Sequence, residues 1–303
     1  MDEQVRIATF ECLKRQVQIY GNTLPRNILE KGFEFQGQRI TLMGPQGIWK
    51  PQVLRSIPLT ITAVAGGPYS DSFKEDGLLL YKYRGIDPFH RDNVGLRDAM
   101  NKQIPLIYFH GIAKGKYLAV WPIYIVADNP NAHTFTVAAD DMSSIDFNKA
   151  SSEVFYKSSE DDRIIKRQYI TSAVKVRLHQ SSFREIVLQA YRERCAFCNL
   201  NHPELLDAAH IVPDSDEIGD PIVNTGLSLC KIHHSVYDMN IVGVSPDYRI
   251  EVRDDILNEI DGPMLKHGIQ ALHNSSIILP YSKKSWPDKD RLSVRYEQFK
   301  HTG

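Results

Sequence analysis

An α+β fold class is predicted for this chain, and three features of the sequence predict it. Between residues 33 and 140 at least five short β-rich runs alternate with turn signals, and only one helical stretch interrupts them, which is the pattern of a curved sheet or barrel with helices. Residues 141–162 (DMSSIDFNKASSEVFYKSSEDD) are rich in Ser and acid and read as a linker. Beyond them, Cys195-x2-Cys198 and Cys230-x2-His233 are two short-spaced pairs of soft ligands, a pattern that staples a small domain around zinc.

Composition is that of a globular protein: 42% hydrophobic and 24% charged residues leave little room for disorder. The longest apolar run, Ala119 to Ala127, is too short to span a bilayer, and the opening MDEQVRIATFECLKRQ lacks the charged and apolar regions of a secretory signal. A cytoplasmic protein with reduced thiols and no membrane partner is therefore expected. Three of the four cysteines cluster at ligand spacing, which argues against a disulfide framework. The net charge of -1 argues against a nonspecific nucleic-acid coat. Charge is nonetheless uneven. Arg163, Lys166, Arg167, Lys175, Arg177, Arg184, Arg192 and Arg194 make a basic segment directly before Cys195, open to reading as a solvated helix face or as a phosphate contact.

In chain order, Val5, Phe10, Leu13, Val17 and Tyr20 recur at helical spacing, with a stop at Gly21-Asn22 and Cys12 as a small hydrophobe beside the stripe. FEFQGQRITLMG alternates around Gly37, and IPLTITAV and GLLLYKYRG follow as strands separated by GGPYSDSFKED. NVGLRDAMNKQ predicts a short helix, and PLIYFHGI, KYLAVWPIYIVAD and AHTFTVAAD three more strands. Trp49 and Trp121 are expected in the core. After the linker comes VKVRL, and then a helix capped by Ser181 or Ser182, with Phe183, Ile186, Val187 and Ala190 on one face. IVGVSPDYRIEV predicts a hairpin, GPMLKHGIQALH a turn and helix, and SIILP with VRYEQFK a closing strand and helix. The implied domains are an N-terminal helical segment (1–30), the barrel (31–145), linker and basic segment (146–182), and a C-terminal domain with its extension (183–303).

A second pattern is interleaved with the first: Asp207-Ala208-Ala209-His210, then Asn224, then His234-x3-Asp238. On a helix, residues 234 and 238 share a face, so an imidazole and a carboxylate could chelate one divalent ion. His210 could reach the same region as a general base acting on water. Each histidine taken alone could equally be a structural or surface residue.

In this order the two patterns resemble the HNH (ββα-metal) endonuclease family, over roughly residues 183–245. The resemblance implies a zinc-stapled ββα-metal domain that hydrolyses phosphodiesters: His210 as general base, Asn224 as the loop residue orienting it, and His234 and Asp238 as ligands of a catalytic Mg²⁺, Mn²⁺ or Ni²⁺. Where many members place a metal ligand just before the base, this chain has Ala209, and Asp207 is expected to supply the carboxylate. On a strand, 207 and 210 point to opposite faces, so that role requires a bend.

Residues 40–140, through AVAGGPYSDSFKEDGLLLYKYRG, DNVGLRDAMNKQIPLIYFHG and KYLAVWPIYIV, resemble the SRA family of PUA-like barrels, which flip a modified cytosine out of duplex DNA. By motif position the resemblance implies Tyr69 and Tyr83 as the stacking pair, Asp71 as reader of the base edge, and close backbone approach at Gly66 and Gly67. Pro68 is inserted relative to the usual motif, Tyr81 competes with Tyr83, and the residues alone read equally well as a turn at Gly66-Gly67-Pro68 with Tyr69, Tyr81 and Tyr83 packed in a barrel core. His90, Arg91, Asp92 and His110 could touch DNA or sit on a solvated loop. Together the two resemblances imply a modification-dependent, type IV-like restriction endonuclease acting on double-stranded DNA that carries 5-methyl- or 5-hydroxymethylcytosine, with a homodimer needed for concerted double-strand breaks. Two alternatives stay open: an HNH nuclease whose barrel senses RNA or another ligand, and an inactive zinc-stapled DNA-binding protein.

Overall fold

The computed structural model describes residues 1–64, 72–73, 78–140, 160–212 and 222–302. They form two compact units, Met1–Ser181 and Ser182–Gly303.

The first unit opens with helix α1 (Asp2–Tyr20), which ends where Gly21, at φ 76°, donates its amide to the Val17 carbonyl. Strand β1 (Thr23–Pro25) and helix α2 (Arg26–Lys31) lead into the hairpin β2 (Phe33–Phe35) and β3 (Gln38–Ile40). There follow β4 (Ile48–Trp49), β5 (Thr60–Val64), β6 (Ser72–Phe73), β7 (Leu79–Lys82), helix α3 (Arg91–Asn101), β8 (Leu106–Ala113), β9 (Lys116–Asn129) and β10 (Thr134–Ala139). An eight-stranded sheet runs β4-β5-β8-β9-β10-β7-β6, with β1 also paired to β9, and curls into a half-barrel. All pairings are antiparallel except β5 with β8. Register shifts between Thr136 and Val137 and along β8–β9 supply curvature.

Both faces of this sheet are covered. Leu106 and Tyr108 of β8 enter one core with Ile61, Ala63, Tyr81, Tyr83 and Leu118. Ile107 and Phe109, pointing the other way, enter a second core with Val5, Phe10 and Leu13 of α1. Residues 1–30 are therefore not a separate segment: the apolar face of α1 is buried under the sheet. Arg6 is buried with it, donating to the carbonyls of Ile57, Pro58 and Pro105, and burial lowers its pKa to about 10 although Asp2 pulls it upward.

Helix α4 (Glu160–Ala190) differs from the sequence expectation of a helix capped at Ser181 or Ser182. No Gly or Pro interrupts residues 160–190, and the apolar spacing Ile170, Val174, Leu178 runs unbroken into Phe183 and Val187, so both serines lie mid-helix. Ile170, Val174 and Leu178 pack with the core of the first unit; Phe183, Val187 and Leu188 pack with that of the second.

In the second unit, strands β11 (Leu206–His210) and β12 (Gly226–Cys230) form an antiparallel pair and helix α5 (Lys231–Asp238) follows directly. A hairpin, β13 (Val242–Val244) with β14 (Ile250–Val252), comes next, then helices α6 (Asp254–Leu257), α7 (Pro263–Gly268) and α8 (Lys289–Lys300). The stretch SIILP is not a strand. Its Ile277 and Ile278 amides go singly to the carbonyls of Tyr248 and Ala196, and only Arg249 and Ser276 form a bridge. Likewise GPMLKHGIQALH stops being α-helical at Gly268, and a 3-10 turn occupies Gln270–Leu272. No described helix is long and apolar enough to cross a membrane.

Candidate functional site

The two ligand pairs of the sequence meet in space. Cys195 to Asn199 fold into a tight turn in which the Asn199 amide donates to the Cys195 carbonyl, with Asn199 at φ 61°, while Cys230 precedes α5 and His233 lies in its first turn. The ligand atoms of Cys195, Cys198, Cys230 and His233 all lie within 4.8 Å of one another, and Cys195, Cys230 and His233 are buried. His233 Nδ1 is 3.4 Å from the Cys195 sulfur and 3.3 Å from that of Cys230. Its Nε2 is 2.8 Å from the Gly268 carbonyl, which fixes Nδ1 as the nitrogen facing the sulfurs. Crowding shows in the proton affinities. Burial pulls His233 down, but hydrogen bonding to Cys195 and Cys230 outweighs it and raises the pKa to about 10. Hydrogen bonds among the three sulfurs push Cys198 up and Cys230 down. Three thiols and one imidazole nitrogen at this spacing can hold a metal, and such a soft donor set suits tetrahedral zinc.

His234, the next residue, presents the other side of α5. Its Nε2 is 3.3 Å from Asp238 Oδ2, one turn on, as the i, i+4 spacing requires, and its Nδ1 is 3.9 Å from Asp207 Oδ2. Asp207 thus stands beside the helix without any register shift in β11, although strand alternation ties that placement to a bend. The imidazole lies between two carboxylates, one at each ring nitrogen. Arg184 of α4 shares Asp207: its Nε is 3.6 Å from the carboxylate while Nη2 donates at 2.8 Å to the carbonyls of both Pro203 and Leu206. Its position in the basic segment does not single this arginine out. Arg167 is also engaged within the protein, by Asp140 at 2.9 Å and the Tyr124 ring at 4.4 Å.

His210 closes β11, opposite Gly226 in the register. Its ring stacks on Phe183 with centroids 4.0 Å apart and planes 9° from parallel, and its Nδ1 is buried. Gly226 makes the stack possible: a Cβ there would lie 2.5 Å from Phe183 Cζ. Asn224 does not bond to the strand through its amide oxygen, which is buried and has no hydrogen-bond partner among the described residues. Its carbonyl instead accepts from the Asp288 amide at 2.9 Å, and next to it Ile211 donates to the Thr225 carbonyl at 3.0 Å. Phe183, Gly226 and Arg184 are the site residues that motif spacing missed. A helical apolar pattern marks Phe183 as core, and nothing local marks what it covers.

In the first unit, Gly66, Gly67, Pro68, Tyr69 and Asp71 lie outside the described residues. Tyr83 is 2% exposed and packs at 4.6 Å on Phe135, with its hydroxyl hydrogen-bonded to Asp128 and 3.2 Å from Arg97. Burial and the Asp128 carboxylate hold the phenol above its ordinary pKa. Tyr83, Tyr81, Gln46, Gly47, Thr62 and Arg84 line a cleft of about 320 Å³. His90 and Asp92 serve the start of α3: the Asp92 amide donates to His90 Nδ1 at 3.2 Å, and the Asp92 carboxylate binds Arg84 at 2.6 Å. Arg91 is exposed. His110 is held by the Tyr108 hydroxyl at 2.8 Å, and burial, aided by His179, lowers its pKa to about 4. Trp49 and Trp121 are half-buried, the Trp49 indole donating to Thr41.

Residues 195–245 match the family described as HNH endonuclease. Among solved structures the chain is similar to a modification-dependent TagI restriction endonuclease, at 14% identity and TM-score 0.30, covering 80% of this chain and 82% of that one. It is also similar to the SRA domain of SUVH5 in complex with methylated CHH DNA, at 17% identity and TM-score 0.24, covering 36% of this chain and 86% of that one. No curated protein matches the chain.

Proposed function

We propose, from the premise that residues 195–245 are an HNH endonuclease domain and the chain a metal-dependent nuclease, that this protein cuts double-stranded DNA carrying a modified cytosine. The observation that carries the proposal is the arrangement in the matched domain: His234 between Asp207 and Asp238, and His210 held flat against Phe183. One nitrogen of His234 with the carboxylate beside it, Asp238 at Nε2 or Asp207 at Nδ1, would hold a Mg²⁺, Mn²⁺ or Ni²⁺ ion, the other carboxylate reaching that ion only once the ring turns. The ion when bound would neutralise charge on the scissile phosphate. His210 takes the proton of the attacking water, and Phe183 holds that ring in one orientation. Arg184 anchors the carbonyls at the start of β11 and steadies Asp207. The Cys195, Cys198, Cys230 and His233 group holds zinc and fixes α5, so that His233 and His234 serve different ions.

The first unit is the reader in this proposal. Its motif resemblance over residues 40–140 and the cleft lined by Tyr81 and Tyr83 support a pocket for a flipped 5-methyl- or 5-hydroxymethylcytosine, for which the resemblance implies Gly66, Gly67, Tyr69 and Asp71 as further residues. Unstacking a base costs about a few kcal/mol, and a fitted pocket returns that energy only for the matching base. One such nuclease domain cuts one strand at a time, so concerted double-strand breaks require a homodimer. The test is cleavage of matched DNAs carrying cytosine, 5-methylcytosine, 5-hydroxymethylcytosine or glucosylated cytosine, with Mg²⁺, Mn²⁺ or Ni²⁺. Cutting confined to one modified substrate and abolished by His210→Ala is expected. Equal inertness of wild type and His210→Ala on all four would overturn the proposal.

A further inference from the structure

Outside the residues 195–245 that match the nuclease family, one surface of the second unit is basic, aromatic and tied to the catalytic loop. The segment Tyr281–Lys289 (YSKKSWPDK) is suspended from both functional loops. Just before it, Ile278 donates to the Ala196 carbonyl in the zinc-ligand turn at 2.8 Å; near its end, Asp288 donates to the Asn224 carbonyl at 2.9 Å. Inside, it is braced: the Trp286 indole donates to Pro280 at 2.8 Å, Tyr248 donates to Pro287 at 3.2 Å, and the Tyr248 and Trp286 rings meet edge to face at 5.7 Å. This bracing pushes three groups into solvent. Tyr281 is 86% exposed with the Arg192 guanidinium over its ring at 5.3 Å, and Lys283 and Lys284 are exposed beside it.

Charge separates this patch from an ordinary solvated face. Residues 276–287 contain no acidic residue, and Arg192, Lys283 and Lys284 form no salt bridge among the described residues. Of the acids near this segment, the Asp288 carboxylate accepts from the Arg291 amide as the cap of α8, Asp247 faces Lys289 at 3.7 Å, and Glu193, next to Arg192, is half-buried and has an interaction of its own. Asp290 is exposed, at the Lys289 end. Cations without a carboxylate partner among the described residues, set with an exposed aromatic ring on a braced loop bonded to Asn224, are suited to the phosphates and sugars of duplex DNA.

We propose that Arg192, Lys283 and Lys284, with Tyr281, form a sequence-independent contact to the DNA backbone flanking the scissile phosphate, and that the hydrogen bond from Asp288 to Asn224 transmits that contact to the strand bearing His210. The inference rests on the nuclease reading, and its test does not require cutting. In the full chain carrying His210→Ala, binding to an unmodified mixed-sequence duplex is measured across a salt series, with and without Arg192→Ala, Lys283→Ala and Lys284→Ala together. Each lost phosphate contact makes the log–log salt slope shallower by about 0.9 and weakens affinity on the order of tenfold at roughly 0.1 M salt. A slope shallower by about 2 to 3 in the triple variant is therefore expected, while Tyr281→Ala weakens binding at constant slope. A triple variant that keeps the parent slope overturns the proposal. If it fails to fold, Lys283→Gln with Lys284→Gln replaces it and should lower the slope change to about 2. A shallower slope in the triple variant, together with a wild-type chain that cuts none of the four DNAs, would refute the nuclease reading alone. Normal cutting with an unaltered slope would refute this surface alone.

Discussion

Gly226→Ala makes the sharpest test of how His210 is positioned. The backbone there is extended, at φ -136°, so alanine meets no conformational penalty and the effect comes from space alone. The new methyl would lie 2.5 Å from Phe183 Cζ, 3.2 Å from Phe183 Cε2 and 3.0 Å from Val187 Cγ2. Carbon atoms pack at about 3.5–4.0 Å, so the Phe183 ring must retreat by about 1 Å. Overpacking of this size costs about 1–3 kcal/mol. The same shift is felt by His210, whose ring rests on Phe183 at 4.0 Å, and a misplacement of about 1 Å in a reacting group can cost ~10²-fold in rate. Expected, then, are a lower Tm and a single-turnover cleavage rate reduced by about 10- to 100-fold, with DNA affinity unchanged. Adding Phe183→Leu makes room for the methyl and restores stability in part, but the rate stays low because the stack is gone. The reasoning is refuted if Gly226→Ala, assayed well below its Tm, cleaves at the parental rate, or if Phe183→Leu alone does.

Three other outcomes follow from the geometry. Metal analysis should find one zinc per chain, and Cys198→Ser should lose it and destabilise the second unit by several kcal/mol, about the scale on which structural zinc couples to folding, as read from chelator-dependent thermal unfolding. For His110, the folded pKa of about 4 lies below the ordinary value of 6.5, so the folded state favours the neutral ring. The stability this histidine permits is complete above pH 6.5 and falls as pH drops from 6.5 through 4, by about 3 kcal/mol in all; urea unfolding at about pH 7 and about pH 4.5 should show the loss, and His110→Gln should flatten it. Asp128→Ala removes the acceptor shared by Tyr83 and Arg97 and should cost about 1–3 kcal/mol, seen in the urea midpoint of the first unit.

Much of this protein was legible in its sequence because the relevant physics is local. The CxxC turn and the Cys230–His233 pair place four groups that could hold a metal, and the one-turn spacing of His234 and Asp238 puts their side chains in contact at 3.3 Å. Strand periodicity announced β8, β9 and β10, and Gly21 announced the end of α1. Expectations failed where a segment's fate depends on what lies far along the chain. SIILP has β-rich composition but pairs only through the single Arg249–Ser276 bridge, because its next amide beyond Ile277 turns away to the Ala196 carbonyl. Arg184 and Arg167 look like free charges in a basic run, yet carboxylates and carbonyls from other elements engage them.

The same division runs through the candidate site. Spacing alone marked which residues could bind metal, because ligand chemistry and helical pitch are properties of short segments, whereas the role of His210 as base was what the resemblance to the HNH family implied. Only the tertiary structure decided that Asp207 stands 3.9 Å from His234, that Phe183 covers the ring of His210, and that Gly226 leaves the space for it. These are meetings of three different elements, and side-chain packing between elements is set by volumes and crossings that no single stretch of sequence contains.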